Sequence, residues 1–198
     1  TEVLAPDPVE CIGVLGTGVQ ARMQVSYLST ITRCRQVKIW GRSEQKMRQY
    51  QDEMSADGWQ VETCPAPGDV AASCNLIITA TPTKTPLLTA DHVKPGTHIT
   101  AMGSDSPGKQ ELEPGILEKA DLIVADSILQ CRERGEIVHG LTSGLINEKD
   151  IIELGTILDE KALGRTAESQ ITIADLTGVA VQDIQIAKAV FEACCKGA

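Results

Sequence analysis

The sequence predicts one doubly wound α/β domain, with helices covering both faces of a mostly parallel sheet. Short runs rich in valine and isoleucine alternate with longer stretches of helical period, which is the pattern of successive β-α-β units. A chain of 198 residues is long enough for one domain with a sizeable core. The seven predicted strands are 10–15, 36–40, 59–63, 75–80, 97–102, 121–125 and 169–175.

Three helices stand out in this pattern. Residues 18–31 have a clear helical period, and residues 44–57 follow a candidate N-cap, Ser43, and precede a helix-ending glycine, Gly58. Residues 179–195 form the longest amphipathic stretch. The buried face of the first helix is expected to carry Ala21, Val25, Leu28 and Ile31.

Composition excludes several classes of function. The net charge of −9 and the pI near 4.8 argue against a nucleic-acid partner, which needs a basic surface. No apolar run approaches the roughly 20 residues that span a bilayer, so no membrane partner is expected. Seven cysteines without a CxxC pair, and scattered histidines, predict free thiols, no metal site and a cytoplasmic location.

The stretch "IGVLGTGVQARM" (12–23) contains the first functional signal, a GxGxxA turn between a predicted strand and a predicted helix. The first glycine permits a tight turn, the second lets the backbone approach a pyrophosphate, and the small alanine lets the helix pack closely on the strand. The helix N-terminus adds free N–H groups and a positive dipole end. We therefore expect a Rossmann-type site with cofactor contacts at Gly16, Thr17, Gly18, Val19 and Gln20.

The residues after the second strand predict which dinucleotide binds. An NAD site usually has an acidic residue there to bind the ribose 2′-hydroxyl. This chain has Gly41-Arg42-Ser43 instead. Arg42 can pair with a 2′-phosphate and Ser43 can donate to it, so NADP(H) is favoured and NAD(H) remains possible.

Four further stretches stand out in the sequence: "TATPTKTPLL" (79–88), "HITAMGSDSPGKQELEPGIL" (98–117), "ADSILQCRERGEI" (125–137) and "ITIADLTGVAVQDIQIAKAVF" (171–191). Together with "GTGVQA", they are similar in sequence and order to the ornithine cyclodeaminase/mu-crystallin family. The resemblance implies that 1–198 is the family's dinucleotide-binding domain. It also implies that a substrate domain, built from the N-terminal third and a C-terminal tail of the longer protein, is absent.

The resemblance also implies site residues. Asp105 would be the catalytic acid or base beside the nicotinamide and the substrate nitrogen. From the residues alone, "SDSPG" is first of all a turn in which Asp105 makes an Asx hydrogen bond. The implied cofactor contacts, besides the glycine turn, Arg42 and Ser43, are Thr81, Pro82, Ala101, Met102, Gly103, Ser104, Lys109, Leu176 and Thr177.

The family's shared chemistry is hydride transfer between a nicotinamide and the α-carbon of an amino or imino acid. The resemblance implies an NAD(P)-dependent oxidoreductase of the ketimine reductase or amino-acid dehydrogenase type, acting on a small substrate. Two alternatives stay open: ornithine cyclodeaminase with internally recycled NAD, and a mu-crystallin-like protein that binds a ligand with NADPH. The longer protein is expected to be a homodimer through the absent domain, and this segment alone is expected to be inactive.

Two charged runs are interpreted as structural rather than catalytic. The run 132–136, "RERGE", is expected to be an ion-paired turn. The acidic residues Glu148, Asp150 and Glu153 are expected to lie on the solvated face of a helix.

Overall fold

The computed structural model describes residues 1–160 and 163–196, apart from the side chains of 181–183 and 196. The predicted domain, 1–198, therefore includes a few residues that lie outside the described part of the chain. Within it, eight strands form one sheet, and every strand pair is parallel. The strands are β1 (Ile12–Leu15), β2 (Gln36–Trp40), β3 (Gln60–Thr63), β4 (Leu76–Thr79), β5 (His98–Ala101), β6 (Leu122–Ala125), β7 (Ile151–Glu153) and β8 (Thr172–Asp175).

The strand order is β3-β2-β1-β4-β5-β8-β6-β7. The chain reverses direction across the sheet between β1 and β4, as in doubly wound folds. All seven predicted strands are confirmed, each trimmed by a few residues at most. β7 was not predicted, and the expectation of an acidic helix face is wrong. Glu148 and Asp150 lie in a single 3₁₀ turn, and Glu153 ends β7.

The helices alternate with the strands as the pattern predicted, except between β4 and β5, where there is a single 3₁₀ turn at Ala90–His92. Proline occupies the first position of α3 and of α4, where no N–H is needed. Ser43 caps α2 as predicted, since its side chain accepts a hydrogen bond from the Lys46 N–H. The helices are α1 (Val19–Leu28), α2 (Glu44–Ala56), α3 (Pro67–Ser73), α4 (Pro114–Lys119), α5 (Ile128–Cys131), α6 (Ile137–Ser143), α7 (Leu154–Asp159) and α8 (Ala180–Lys196).

The first helix ends earlier than predicted. α1 stops at Leu28, and Ile31 is 45% exposed rather than buried, so its assignment to the core face is wrong. The hydroxyls of Ser29 and Thr30 donate to the carbonyls of Ser26 and Tyr27. Such local hydrogen bonds compete with further helical turns.

The core lies on both faces of the sheet. Alternate residues of β4 show this: Ile77 packs with α3 and α4, whereas Leu76 and Ile78 pack with α1 and α2. A smaller cluster around β6, β8 and α7 closes the far edge. The helices therefore cover both faces, as predicted for a doubly wound domain.

The C-terminal helix differs from the others in its packing. The predicted helix at 179–195 is confirmed as α8, but its side chains from 184 to 195 are all exposed. Its apolar residues include Ile184 and Phe191, which are 63% and 70% exposed. No helix in the described part of the chain has the length and apolarity to cross a membrane. All seven cysteines are free, as predicted.

Candidate functional site

The site lies at the carboxyl edge of the sheet. Because all strands are parallel, the segments that follow β1, β2, β4, β5 and β8 emerge at this edge. They carry the glycine turn, the Gly41–Ser43 segment, the turn at 80–83, the loop at 102–109 and Leu176–Thr177. The fold thus gathers at one edge the residues that the sequence predicted as a site.

The glycine turn has the geometry that its two glycines allow. Gly16 has a φ of +124°, and a Cβ there would lie 2.6 Å from the carbonyl oxygen of Ala80. Its N–H donates to the Trp40 carbonyl over 2.9 Å, which ties the turn to β2. Gly18 is the N-cap of α1 in an extended conformation, and a Cβ there would meet no atom within 4 Å. Gly16 is therefore required by the fold, while the space at Gly18 is open to a ligand.

An arginine of α1 braces this turn. Arg22 Nη1 donates to the Thr17 carbonyl over 2.5 Å, and its Nε pairs with Glu53 on α2. Its guanidinium also lies over the Tyr50 ring, 5.2 Å from the centroid. Sequence reasoning missed this brace, since no spacing rule connects Arg22 to a carbonyl five residues earlier.

A pocket of about 540 Å³ opens beside the turn. Arg42 and Lys46 are the charged residues in its lining, and neither makes an ion pair in the described part of the chain. An anion at this end would therefore meet two free cations. Of the predicted site residues, Gly16, Thr17, Gly18, Arg42, Ser43, Thr81 and Pro82 line the pocket. Trp40, Gly41, Lys46, Ala80, Thr83 and Leu87 also line it and were not predicted.

The other predicted contacts lie outside this lining. They belong to α1 or to the segments after β5 and β8, except for Ala101, which is the buried last residue of β5. The hydroxyls of Ser104 and Thr177 donate to the carboxylates of Glu136 and Asp126, so both are engaged inside the protein. These outlying positions are Val19, Gln20, Ala101, Met102, Gly103, Ser104, Lys109, Leu176 and Thr177.

Asp105 lies in the loop after β5 with its side chain 59% exposed. Its carboxylate accepts hydrogen bonds from the Lys109 ammonium at 2.6 Å and from the Ser106 hydroxyl at 3.0 Å. Lys109 holds the pKa of this carboxyl below its ordinary value, with burial opposing and Ser106 assisting. The partners are side chains of the same loop, so Asp105 is an oriented, ionised carboxylate at the carboxyl edge.

Three buried acids behind this loop were not predicted as site residues. Glu111, Glu136 and Asp175 are each at most 1% exposed. Burial raises the pKa of all three, and for Glu111 the value reaches about 7. The backbone N–H groups of Thr81 and Gly103 donate to Glu111, so this carboxylate joins the turns after β4 and β5.

The predicted ion-paired turn at 132–136 is confirmed only for Arg132, which pairs with Glu148.

The raised pKa of Glu111 predicts a pH dependence of stability. Its folded pKa of about 7 lies above the ordinary 4.5, so the folded state binds the proton more tightly. The resulting stabilisation is complete below about pH 4.5 and is lost as the pH rises through about 7. Relative to Glu111→Gln, we expect the wild type to lose about 2 kcal/mol of unfolding free energy across this window. Urea unfolding of both proteins at about pH 5 and about pH 8 measures the difference; a pH-independent difference would contradict the prediction.

The parallel doubly wound sheet, the glycine turn and the open pocket define the class of protein as a Rossmann-type domain. Within that class, the chain belongs to the ornithine cyclodeaminase/mu-crystallin family, whose model matches residues 1–198. Among the described residues, no group of three or more His, Cys, Asp or Glu side chains is placed to hold a metal ion.

Relatives of known name extend beyond this chain, which spans about half the length of the curated relatives it matches. The "uncharacterized cyclodeaminase y4tK" of Sinorhizobium fredii is 38% identical over 90% of this chain and 55% of that protein. An archaeal alanine dehydrogenase dimer with bound NAD superposes with a TM-score of 0.91 at 34% identity, covering 100% of this chain and 61% of its own. The Δ1-pyrroline-2-carboxylate reductase of Thermococcus litoralis, in complex with NADH and L-proline, gives a TM-score of 0.94 at 25% identity, covering 100% and 62%.

Proposed function

We propose that this chain is the NAD(P)-binding part of an oxidoreductase that acts at the α-carbon of a small amino or imino acid. The observation that carries the proposal is the pocket at the carboxyl edge, where the open space at Gly18 adjoins the N-terminus of α1. Two structural neighbours support it, because one holds NAD and the other holds NADH together with L-proline.

Asp105 is the acid or base in this proposal. A nicotinamide, when bound, would supply or accept the hydride, and the residues of this chain orient the substrate and exchange a proton with its nitrogen. The ionised Asp105 carboxylate, oriented by Lys109, can accept a proton from the substrate nitrogen or stabilise a positive charge on it. An exposed position is suitable for this role, since the substrate must reach the carboxylate from solvent.

The remaining parts of the function lie outside these residues. We propose that segments of the longer protein beyond this chain bind the substrate carboxylate, and that the longer protein is a homodimer. The archaeal alanine dehydrogenase, which is a dimer, supports the second part. The seven free thiols fit a reducing compartment such as the cytoplasm.

The function is tested on the longer protein, with its flanking segments, by following the nicotinamide absorbance. Oxidation of the reduced cofactor in the presence of a cyclic imino acid is the expected result. Conversion of ornithine without net redox change would instead identify a cyclodeaminase. Tight binding of a ligand without turnover would identify a binding protein, and absence of dinucleotide binding would overturn the proposal altogether.

We further propose NADP(H) rather than NAD(H) as the preferred cofactor. Arg42 and Lys46 line the pocket beside the N-terminus of α2, and neither has an ion-pair partner among the described residues. The Ser43 hydroxyl lies at the same place, because Ser43 is the N-cap of this helix. A 2′-phosphate there would be paired with two cations and a helix N-terminus. The pocket lining in the described part of the chain contains no carboxylate that could accept a hydrogen bond from a ribose 2′-hydroxyl.

Arg42→Asp tests the cofactor preference. The substitution removes the cation that would pair with the 2′-phosphate and puts a negative charge in its place, which would repel the phosphate. We therefore expect NADPH affinity to fall at least about tenfold, with little change in NADH affinity. Arg33→Asp is the control, because it makes the same charge change in the exposed segment before β2, at the opposite edge of the sheet. Titration calorimetry with both cofactors measures the affinities, and equal wild-type affinity for NADPH and NADH would refute the preference.

A further inference from the structure

Three buried carboxylates form a continuous chain beneath the loop that carries Asp105. Asp175, at the end of β8, accepts hydrogen bonds from the N–H groups of Glu136 and Ile137 at 2.7 and 2.8 Å. These N–H groups lie at the start of α6, where they have no partner within the helix. Asp175 therefore fixes the position from which the Glu136 side chain extends.

Glu136 is the second member of the chain. Its two oxygens accept hydrogen bonds from the backbone N–H groups of Glu111 and Leu112, at 2.8 and 2.9 Å. The Ser104 hydroxyl, one residue before Asp105, donates to the same carboxylate. Glu136 thus holds both the Asp105 loop and the backbone of Glu111.

Glu111 is the third member and contacts two turns at once. One carboxylate oxygen accepts from the N–H and the hydroxyl of Thr81, each at 2.7 Å. The other accepts from the Thr79 hydroxyl at 2.7 Å and from the Gly103 N–H at 2.8 Å. One side chain therefore fixes the distance between the turn after β4 and the loop after β5.

We propose that Glu111, held in place by Glu136 and Asp175, is a positioning residue that sets the nicotinamide half of the dinucleotide pocket. This inference rests on the proposed function. In a doubly wound sheet the two mononucleotide halves of the ligand lie on opposite sides of the switch point. The Glu111 side chain contacts Thr79, the last residue of β4, and the segments after β4 and β5, whereas Arg42 and Ser43 follow β2. Glu111 therefore supports the side of the pocket away from Arg42.

The geometry explains why a carboxyl group, with two oxygens that can both accept, is needed at this position. Each oxygen of Glu111 accepts one backbone N–H, and a backbone N–H cannot rotate to become an acceptor. A glutamine of the same shape would have to turn its NH₂ group toward either Thr81 or Gly103. One part-buried N–H would then be left without an acceptor in the protein, and one turn would lose its anchor.

The test compares two ligands on the Glu111→Gln variant. NADPH spans both halves of the pocket, whereas adenosine 2′,5′-bisphosphate occupies only the half near Arg42. We expect NADPH affinity to fall about tenfold, because one part-buried donor loses its acceptor and one turn shifts, and bisphosphate affinity to change less than about twofold. Glu113→Gln is the matched control, because Glu113 also accepts a backbone N–H, that of Ala90, but touches neither turn.

The outcomes separate the two proposals. If the wild type binds no dinucleotide, the proposed function is overturned. If the wild type binds but Glu111→Gln keeps full NADPH affinity, or loses affinity for both ligands equally, the positioning role is overturned. Should Glu111→Gln fail to fold, Thr79→Val decides: it removes one hydroxyl donor to Glu111 and is expected to weaken NADPH alone by about threefold. Unchanged NADPH affinity in that variant would overturn the inference.

Discussion

Asp105→Asn in the protein of full family length is expected to lower kcat at least about 10²-fold, while cofactor affinity stays within about threefold. The amide has the shape of the carboxylate and can still accept a hydrogen bond from Lys109. It cannot take up a proton near neutral pH, so the acid–base step loses its group. Steady-state kinetics, cofactor binding and melting temperature are measured on the same variant.

The alternative for this residue is a purely local turn. In that case Asp105→Asn would lose stability with kcat nearly intact, because the carboxylate accepts hydrogen bonds from Ser106 and Lys109. Asp57→Asn is a suitable control, since Asp57 is an exposed aspartate in the turn after α2. A stable and fully active Asp105→Asn enzyme would rule out the catalytic assignment.

Alanine at the two glycines of the turn is expected to give opposite results. Gly16→Ala places a side chain at a φ of +124° with its Cβ 2.6 Å from the Ala80 carbonyl oxygen, so we expect a loss of about 3 kcal/mol or more of stability. Gly18→Ala meets no atom within 4 Å at an ordinary φ of −82°, so only the poorer N-cap preference of alanine opposes it and stability should fall by about 1 kcal/mol or less.

Although Gly18→Ala should change stability little, it is expected to weaken ligand binding strongly. The Cβ at Gly18 would fill the space through which the backbone approaches a pyrophosphate, so NADPH affinity should fall at least about tenfold in a fully folded protein. Thermal unfolding and calorimetry on both variants provide the measurements. Unimpaired NADPH binding by Gly18→Ala would show that the ligand does not pass over this turn.

Hydrophobic periodicity was sufficient to predict the sheet but not its shortest strand. Buried strands such as β4 are continuous apolar runs, and their sequence spacing predicts the β-α-β pattern. β7 has only three residues, Ile151–Glu153, and is specified by pairing with β6 rather than by its own sequence. In the sequence, the spacing of Glu148, Asp150 and Glu153 indicated a helix face more strongly than the three strand residues indicated a strand.

The glycine turn could be predicted because its chemistry is local, whereas the carboxylate chain could not. Gly16 and Gly18 act through backbone geometry that a short motif encodes. Glu136 instead binds N–H groups about 25 residues away, and Asp175 binds N–H groups nearly 40 residues away. Backbone donors carry no sequence signature, so only the folded chain identifies the acceptors.

The place of β8 in the sheet has a kinetic consequence. It pairs with β5 on one side and β6 on the other, although His98 and its partner Thr172 are 74 residues apart in the chain. Contacts between distant residues form slowly, because a long loop must close first. During synthesis β1 to β5 can pair as they emerge, whereas β6 and β7 have only each other until residue 175 is made. The glycine turn is therefore complete early, and docking of β8 is the step that brings Asp175 beneath the Asp105 loop.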